Sequence, residues 1–201
     1  MTAPSRVQIT GLVLAGGRGA RMGGVDKGWV AYEGEPLVQH VLRRFAPQVG
    51  TVLISANRSL EAYRALGSVI TDAEQDLALE PFPGPLAGVL AGLRWANTEW
   101  VSLAPCDAPA LPLDLVERLG NAIGGADVAC PVAGGHRQPV FALMRRSGAP
   151  SLRAFLQNDG RSMQRWFETV HAVDVPFDAA DEFRNINEPG VTIDKPAANC
   201  T

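Results

Sequence analysis

The feature that most constrains this chain is a run of β-branched and aliphatic residues, 7–14, that passes directly into a loop dense in glycine and positive charge. Residues 14–27 hold five glycines, two arginines and one lysine. Glycine in such number weakens any helix or strand, so the strand must end near Leu14 and hand over to a loop. Glycines let backbone N–H groups converge on an anion without Cβ obstruction, while guanidinium and ammonium groups neutralise it. The ligand class this implies is a polyphosphate. Two common phosphate loops are excluded. The dinucleotide fingerprint fails at Met22, where Gly or Ala is required, and the P-loop fails because Lys27 follows Asp26 and precedes Gly28.

Beyond the loop the hydrophobic periodicity switches repeatedly. Leu37, Val38, Val41, Leu42 and Phe45 recur at helical spacing, with Pro36 suited to a first turn. Residues 51–56 read as a strand, Leu60, Tyr63 and Leu66 as a short helical stripe closed by Gly67, and 68–71 as a third strand ending at Asp72. A polar, proline-rich loop reaches Pro85. Leu86, Val89, Leu90 and Leu93 then mark a helix, 100–104 a strand that stops at Pro105, Cys106 and Asp107, Leu115 to Ile123 a further helix, and 127–132 a strand. This alternation predicts an α/β fold: a three-layer αβα arrangement on a mostly parallel, Rossmann-like sheet, because parallel neighbours require crossover connections. Ligands of such sheets bind beyond the carboxyl ends of the strands, where the loops after Leu14, Thr71 and Ala104 converge.

From Ala133 the pattern changes. Gly134 and Gly135 make a turn, and 138–144 is predicted to return as the second strand of a small substrate-facing hairpin region. Met163, Trp166, Phe167 and Val170 predict a helix, and 171–175 a strand. Trp95, Trp100 and Trp166 are expected to serve packing. The expected organisation is one domain over 1–201, with a nucleotide-binding part at 7–132, an acceptor-binding part at 133–190 and a flexible tail at 191–201.

Composition narrows the partners. The 201 residues are 46% hydrophobic and carry a formal net charge of -3, so no overall positive field favours nucleic acid. Three cysteines, Cys106, Cys130 and Cys200, are too few and too scattered for a disulfide framework or a four-ligand zinc site and fit a reducing compartment. With no apolar run approaching the roughly 18 residues of a membrane span and no signal-peptide core, a cytoplasmic protein is expected.

Leu14-Ala15-Gly16-Gly17, Arg21-Met22-Gly23 and Asp26-Lys27-Gly28 together resemble the start of a nucleoside-diphosphate-sugar-transferase-like nucleotidyltransferase. Pro36-Leu37, Gln39-His40-Val41, Ala56-Asn57-Arg58, Asp72, 83–88, Pro105-Cys106-Asp107 and Asn185-Ile186-Asn187 follow in the same order and make the chain most similar to the molybdenum cofactor guanylyltransferases. The resemblance covers about residues 8–190. It implies transfer of GMP from GTP to molybdenum-molybdopterin with release of pyrophosphate. Base contacts would come from Leu14, Ala15 and Gly16, and phosphate contact from Lys27, with Gly17 in the same loop and Arg18 and Arg21 assisting. Asp72 would lie near base and ribose. Ser55 stands at the end of the second strand, where that family often has asparagine. Transient contacts with cofactor-biosynthesis or acceptor proteins are also implied, and nucleic acid and membrane are not.

The chemistry required fits these residue types. An attacking phosphate, an electrophilic α-phosphorus and a departing pyrophosphate need positioning and charge neutralisation rather than a protein nucleophile. Magnesium prefers one or two carboxylates with phosphate oxygens and water, which suits Asp107 at a strand end; a turn-forming or helix-capping Asp is the bland alternative. Lys27, Asp107 and Arg21 are the expected catalytic set. Asn185 and Asn187 would offer two amides to the acceptor from one side of an extended segment, and Arg137 and Gln138 would face it from the hairpin. His40 and His136 have no partner cluster and are expected in structural or surface roles. Competing readings are a cytidylyltransferase on the same cofactor, a sugar-phosphate nucleotidyltransferase, and a non-catalytic nucleotide or cofactor carrier.

Overall fold

The computed structural model describes residues 2–15, 26–71 and 84–186. Its first strand, β1 (Ile9–Leu14), shows directly how the sequence builds three layers. Side chains alternate across a strand. Ile9 and Val13 join the cluster on one face and Leu12 the cluster on the other, and all three are buried. Residues 7 and 8, read above as the start of this strand, belong instead to a 3-10 turn, Arg6–Gln8, beside which the Gln8 side chain accepts from the Ser5 backbone N–H at 2.9 Å. Leaving the sheet here exposes Val7.

After a short hairpin of β2 (Ala31–Tyr32) and β3 (Glu35–Pro36), α1 (Leu37–Phe45) buries Leu37, Val38, Val41 and Phe45, one stripe at helical spacing. The chain continues through β4 (Thr51–Ser55), α2 (Leu60–Arg64), β5 (Ser68–Ile70), α3 (Pro85–Trp95), β6 (Trp100–Pro105), α4 (Leu115–Ile123) and β7 (Val128–Ala133). Then come β8 (His136–Arg137), β9 (Leu143–Arg145), α5 (Ala149–Gln157), α6 (Met163–Phe167) and β10 (Ala172–Phe177).

Among the described residues the main sheet has the order β10-β7-β9-β6-β1-β4-β5, with β8 paired to β7. The pairs β1–β4, β1–β6, β4–β5 and β7–β10 are parallel. Buried residues of α1, α2 and α4 pack on one face and those of α3, α5 and α6 on the other, giving the expected αβα layers. Helix α3 lies unusually close to β1: a Cβ at Gly92 would stand 2.2 Å from Leu12 Cδ2. The missing side chain lets the helix backbone settle on the sheet, and each large aliphatic group buried between them contributes about 1.5–3 kcal/mol.

Two features depart from the sequence reading. The turn at Gly134 and Gly135, both with positive φ, closes only a two-residue pairing of β8 on β7. The chain then makes a 3-10 turn at Pro139–Phe141, and β9 inserts antiparallel between β6 and β7. A strand placed there pairs on both sides, satisfying two ladders at once, which a peripheral hairpin strand would not. Second, α5 lies in a segment given no element from sequence; Leu152 and Leu156, one turn apart, are its buried stripe. Trp100 and Trp166 are buried as expected, whereas Trp95, at the end of α3, is 67% exposed. No helix of the described residues is long and apolar enough to cross a membrane.

Candidate nucleotide site

The strand registers bring the sequence's separate motifs to one edge. Leu14 is level with Ser55 on one side and Pro105 on the other, and Ser55 is level with Ile70. The next residues continue the ladder: Ala15 N–H donates to Ser55 C=O at 2.8 Å, and Cys106 N–H to Leu14 C=O at 3.1 Å. Those two backbone groups of the Leu14-Ala15 pair are therefore engaged within the sheet. Ser55 is buried at the same level.

Lys27 and Asp107, 80 positions apart in sequence, meet here: Lys27 Nζ lies 2.9 Å from Asp107 Oδ2. Each is placed by local structure. Lys27 opens a 3-10 turn, Lys27–Trp29, capped by Asp26, whose Oδ1 accepts the Gly28 N–H at 3.3 Å. Asp107 sits in the turn that ends β6, and its carbonyl accepts the Ile186 N–H at 2.8 Å. That bond draws the 184–186 segment against the strand end, so Asn185, which is exposed, flanks the Asp107 turn. The Asp107 side chain is only 10% accessible and the Lys27 side chain 30%. A shielded carboxylate whose present counter-ion is a primary ammonium is suited to exchange that ammonium for another cation.

Beneath this pair lie groups the sequence did not single out. Tyr63, fully buried on α2, donates its hydroxyl to Asp26 Oδ1 at 2.7 Å. Trp29 packs on the Tyr63 ring with centroids 5.2 Å apart. Asp26 is 9% exposed, and its second oxygen, Oδ2, is buried with no hydrogen-bond partner among the described residues, as is Trp29 Nε1. Burial, followed by the nearby Asp107 and Asp26 carboxylates, pushes the Cys106 thiol well above the ordinary thiol range. Cys106 therefore remains a neutral packing group, in line with its apolar sequence reading. The only sequence signal for Asp26 was its place beside Lys27, and Tyr63 showed only an apolar stripe.

The remaining expected positions divide. Gly16, Gly17, Arg18, Arg21, Asp72 and Asn187 lie outside the described residues, as does Cys200. Arg137 pairs through Nε with Asp174 Oδ1 at 2.7 Å, and that hydrogen bond raises its pKa further. Its fork is thus held against β10. Gln138 donates its backbone N–H to Pro131 C=O at 2.7 Å. His40 Nε2 lies 2.8 Å from the Tyr32 carbonyl and its ring packs edge-on against Tyr32, a structural role; His136 is exposed.

Comparisons with known proteins identify the family and the fold. Residues 11–176 match the model of the MobA-like NTP transferase domain. A molybdenum cofactor guanylyltransferase of Cupriavidus metallidurans is 51% identical over 191 residues, covering 91% of this chain and 92% of that protein. One from Vibrio campbellii is 41% identical over 184 residues, covering 90% and 92% respectively. The crystal structure of molybdopterin-guanine dinucleotide biosynthesis protein A from Archaeoglobus fulgidus superposes with a TM-score of 0.70 at 23% identity, covering 90% of this chain and 93% of that one, and shows the same fold. Lys27 and Asp107 both lie within the matched residues, and the chain belongs to the MobA-like NTP transferase family.

Proposed function

We propose that this chain is a molybdenum cofactor guanylyltransferase acting in the cytoplasm: it transfers GMP from GTP to molybdenum-molybdopterin. The observation that carries the reading is the Lys27–Asp107 pair at the strand ends, within a chain about half identical to guanylyltransferases. An oxygen of the acceptor's terminal phosphate attacks the α-phosphorus of GTP. The new P–O bond joins GMP to the cofactor, and the bond to the bridging oxygen breaks to release pyrophosphate. No side chain enters a covalent bond. Lys27 neutralises charge on the polyphosphate tail, and Arg18 and Arg21 of the glycine-rich loop assist.

Asp107 fits a magnesium ion because its shielded carboxylate already binds a cation. Among the described residues no group of three or more His, Cys, Asp or Glu side chains could hold a metal alone. An ion at Asp107 would therefore complete its shell with phosphate oxygens and water, the arrangement magnesium favours. When bound, magnesium supplies charge stabilisation at the reacting phosphates.

For the base we assign the backbone of Leu14, Ala15 and Gly16, with Gly17 in the adjoining loop, Ser55 at the end of β4, and Asp72 towards the ribose. Of these, the Leu14 carbonyl and the Ala15 N–H already make hydrogen bonds within the sheet. Asn185, drawn in by the Ile186 bond, and Asn187 would face the acceptor from one side. We further propose one functional unit, with 7–132 holding nucleotide and 133–190 the acceptor, and transient contact with the proteins that deliver or receive the cofactor.

The test is incubation with each of GTP, CTP, ATP and UTP, magnesium and purified molybdenum-molybdopterin, with detection of pyrophosphate and of the dinucleotide. GTP alone should yield both products and the largest rise in melting temperature, because selective binding stabilises the native state. Product from CTP instead would establish the cytidylyltransferase reading, and a melting shift without pyrophosphate would establish a carrier.

A further inference from the structure

Tyr63 belongs to none of the positions assigned to substrate, yet it organises the turn from which Lys27 projects. Three contacts converge on it. Its hydroxyl donates to Asp26 Oδ1 at 2.7 Å. Gly28 gives it room, since a Cβ at that position would stand 2.3 Å from the hydroxyl oxygen. The Trp29 ring packs against its own ring. The residue before Lys27 is thus bonded to a single side chain of α2, the one after it lies close against that side chain, and the one beyond packs on its ring. Burial, then the neighbouring Cys106, pushes the Tyr63 hydroxyl far above its ordinary range, so it remains a proton donor to the carboxylate.

We propose that Tyr63 is a positioning residue: through Asp26 and the space left by Gly28 it fixes the turn that aims Lys27 at the polyphosphate tail, and it touches no substrate. This rests on the reading of Lys27 as the phosphate contact. The physical reason lies in Asp26. Its carboxylate is shielded, and Oδ2 lacks a partner among the described residues. Removing the tyrosine hydroxyl leaves the carboxylate with only the Gly28 N–H among its described partners. An under-satisfied buried carboxylate draws in the nearest cation. The cation of its own turn is Lys27, so the ammonium would be pulled from Asp107 towards Asp26 and away from the phosphates.

The test is a double-mutant cycle in the guanylyl-transfer assay, with Tyr63→Phe, Gly28→Ala, the double variant and Lys27→Ala. Tyr63→Phe keeps the ring and its packing. It should lower kcat about tenfold, the scale of one lost hydrogen bond to a charged group, while KM for GTP changes less than about twofold because uniform binding is retained. Gly28→Ala should cost a similar factor by driving the hydroxyl off Asp26. In the Tyr63→Phe background it should cost less than about twofold, because the oxygen that clashes is gone. Unchanged kcat in Tyr63→Phe, or strictly multiplicative losses in the double variant, would overturn the proposal, and a lowered melting temperature with normal kcat would make Tyr63 a packing residue only. Lys27→Ala separates the two levels. If it turns over normally, the phosphate reading fails and the proposal with it; if it is inactive while Tyr63→Phe is normal, only the proposal fails.

Discussion

The two ends of the central sheet treat their polar groups in opposite ways. At the amino-terminal end of β1 and β6, Thr10 Oγ1 lies 2.7 Å from Thr98 Oγ1 and 3.4 Å from Thr51 Oγ1, and Thr98 Oγ1 donates to the Trp100 carbonyl at 2.8 Å. Nearby, Arg145 pairs with Glu99 at 2.6 Å, donates to the Ala126 carbonyl at 3.3 Å and stacks over the Trp100 ring. Among the described residues three buried side-chain polar atoms lack a hydrogen-bond partner: Ser102 Oγ within β6 and, at the carboxyl end, Asp26 Oδ2 and Trp29 Nε1 of the Lys27 turn and its cap, where the shielded Asp107 carboxylate is held by the Lys27 ammonium. An unsatisfied buried polar group costs about 1–3 kcal/mol. One end therefore serves stability, while the other carries a cost that a functional site explains.

This contrast can be broken most sharply at Lys27. Lys27→Ala should lower turnover at least about 100-fold, as loss of a pre-organised charged contact does, with circular dichroism showing an intact fold. Asp107→Ala should abolish magnesium-dependent turnover, again with the fold retained; an unfolded variant would assign the aspartate to the structural class.

The opposite end should give the opposite result. An open cleft of about 620 Å³ there is lined by Arg94, Arg145 and Arg146, so it offers the obvious alternative seat for a phosphate. Arg146 donates to the Ala96 carbonyl and Arg145 is held as described, so both guanidinium groups are engaged in fastening loops. Arg145→Ala should lower stability by about 1–3 kcal/mol in urea unfolding, through lost hydrogen bonds and packing, and leave kcat within about twofold. Weakened GTP binding in Arg145→Ala together with normal binding in Lys27→Ala would reverse the comparison.

Smaller effects sharpen it. Thr98→Ala should cost about 1 kcal/mol in the same unfolding measurement, with no change in kinetics. At high pH the buried thiols add a shared signature. Cys130 is pushed up to about 12, first by burial and then by the Asp174 carboxylate. Because the folded state holds this proton more tightly than the unfolded chain does, its contribution to stability is complete below the ordinary thiol range and is lost as the pH climbs towards about 12. Cys130→Ala should flatten that decline in an unfolding series across alkaline pH.

Much of the architecture was legible because it depends on local pattern. The unbroken β-branched and aliphatic run of β1 marks a strand buried on both faces, and the stripe Leu37, Val38, Val41 and Phe45 states which face of its helix must be buried. The candidate site was legible at the Pro105-Cys106-Asp107 strand end, where the structure brings Asp107 to Lys27; the glycine-rich residues 16–25 lie outside the described residues. The reading placed the returning strand too early, at 138–144, and missed its pairing with β6, because the three-residue β9 carries too little period to fix its bounds; it gave no element to α5, whose stripe Leu152 and Leu156 is only one turn long. It missed Tyr63 because a tyrosine in an apolar stripe has the same appearance whether or not its hydroxyl has a use.

Sequence by itself determined the alternation of the main strands and helices from β1 to β7, the sheet edge to which the loops after β1 and β6 lead, and the charged residue types that border it. Tertiary structure alone decided that Lys27 and Asp107 meet at 2.9 Å, that β9 enters the sheet between β6 and β7, and that Tyr63 reaches Asp26 across the gap at Gly28. The division follows the range of the forces. Periodicity and glycine content act on the chain near each residue, whereas an ion pair 80 positions apart exists only after the packed layers have set both ends in place.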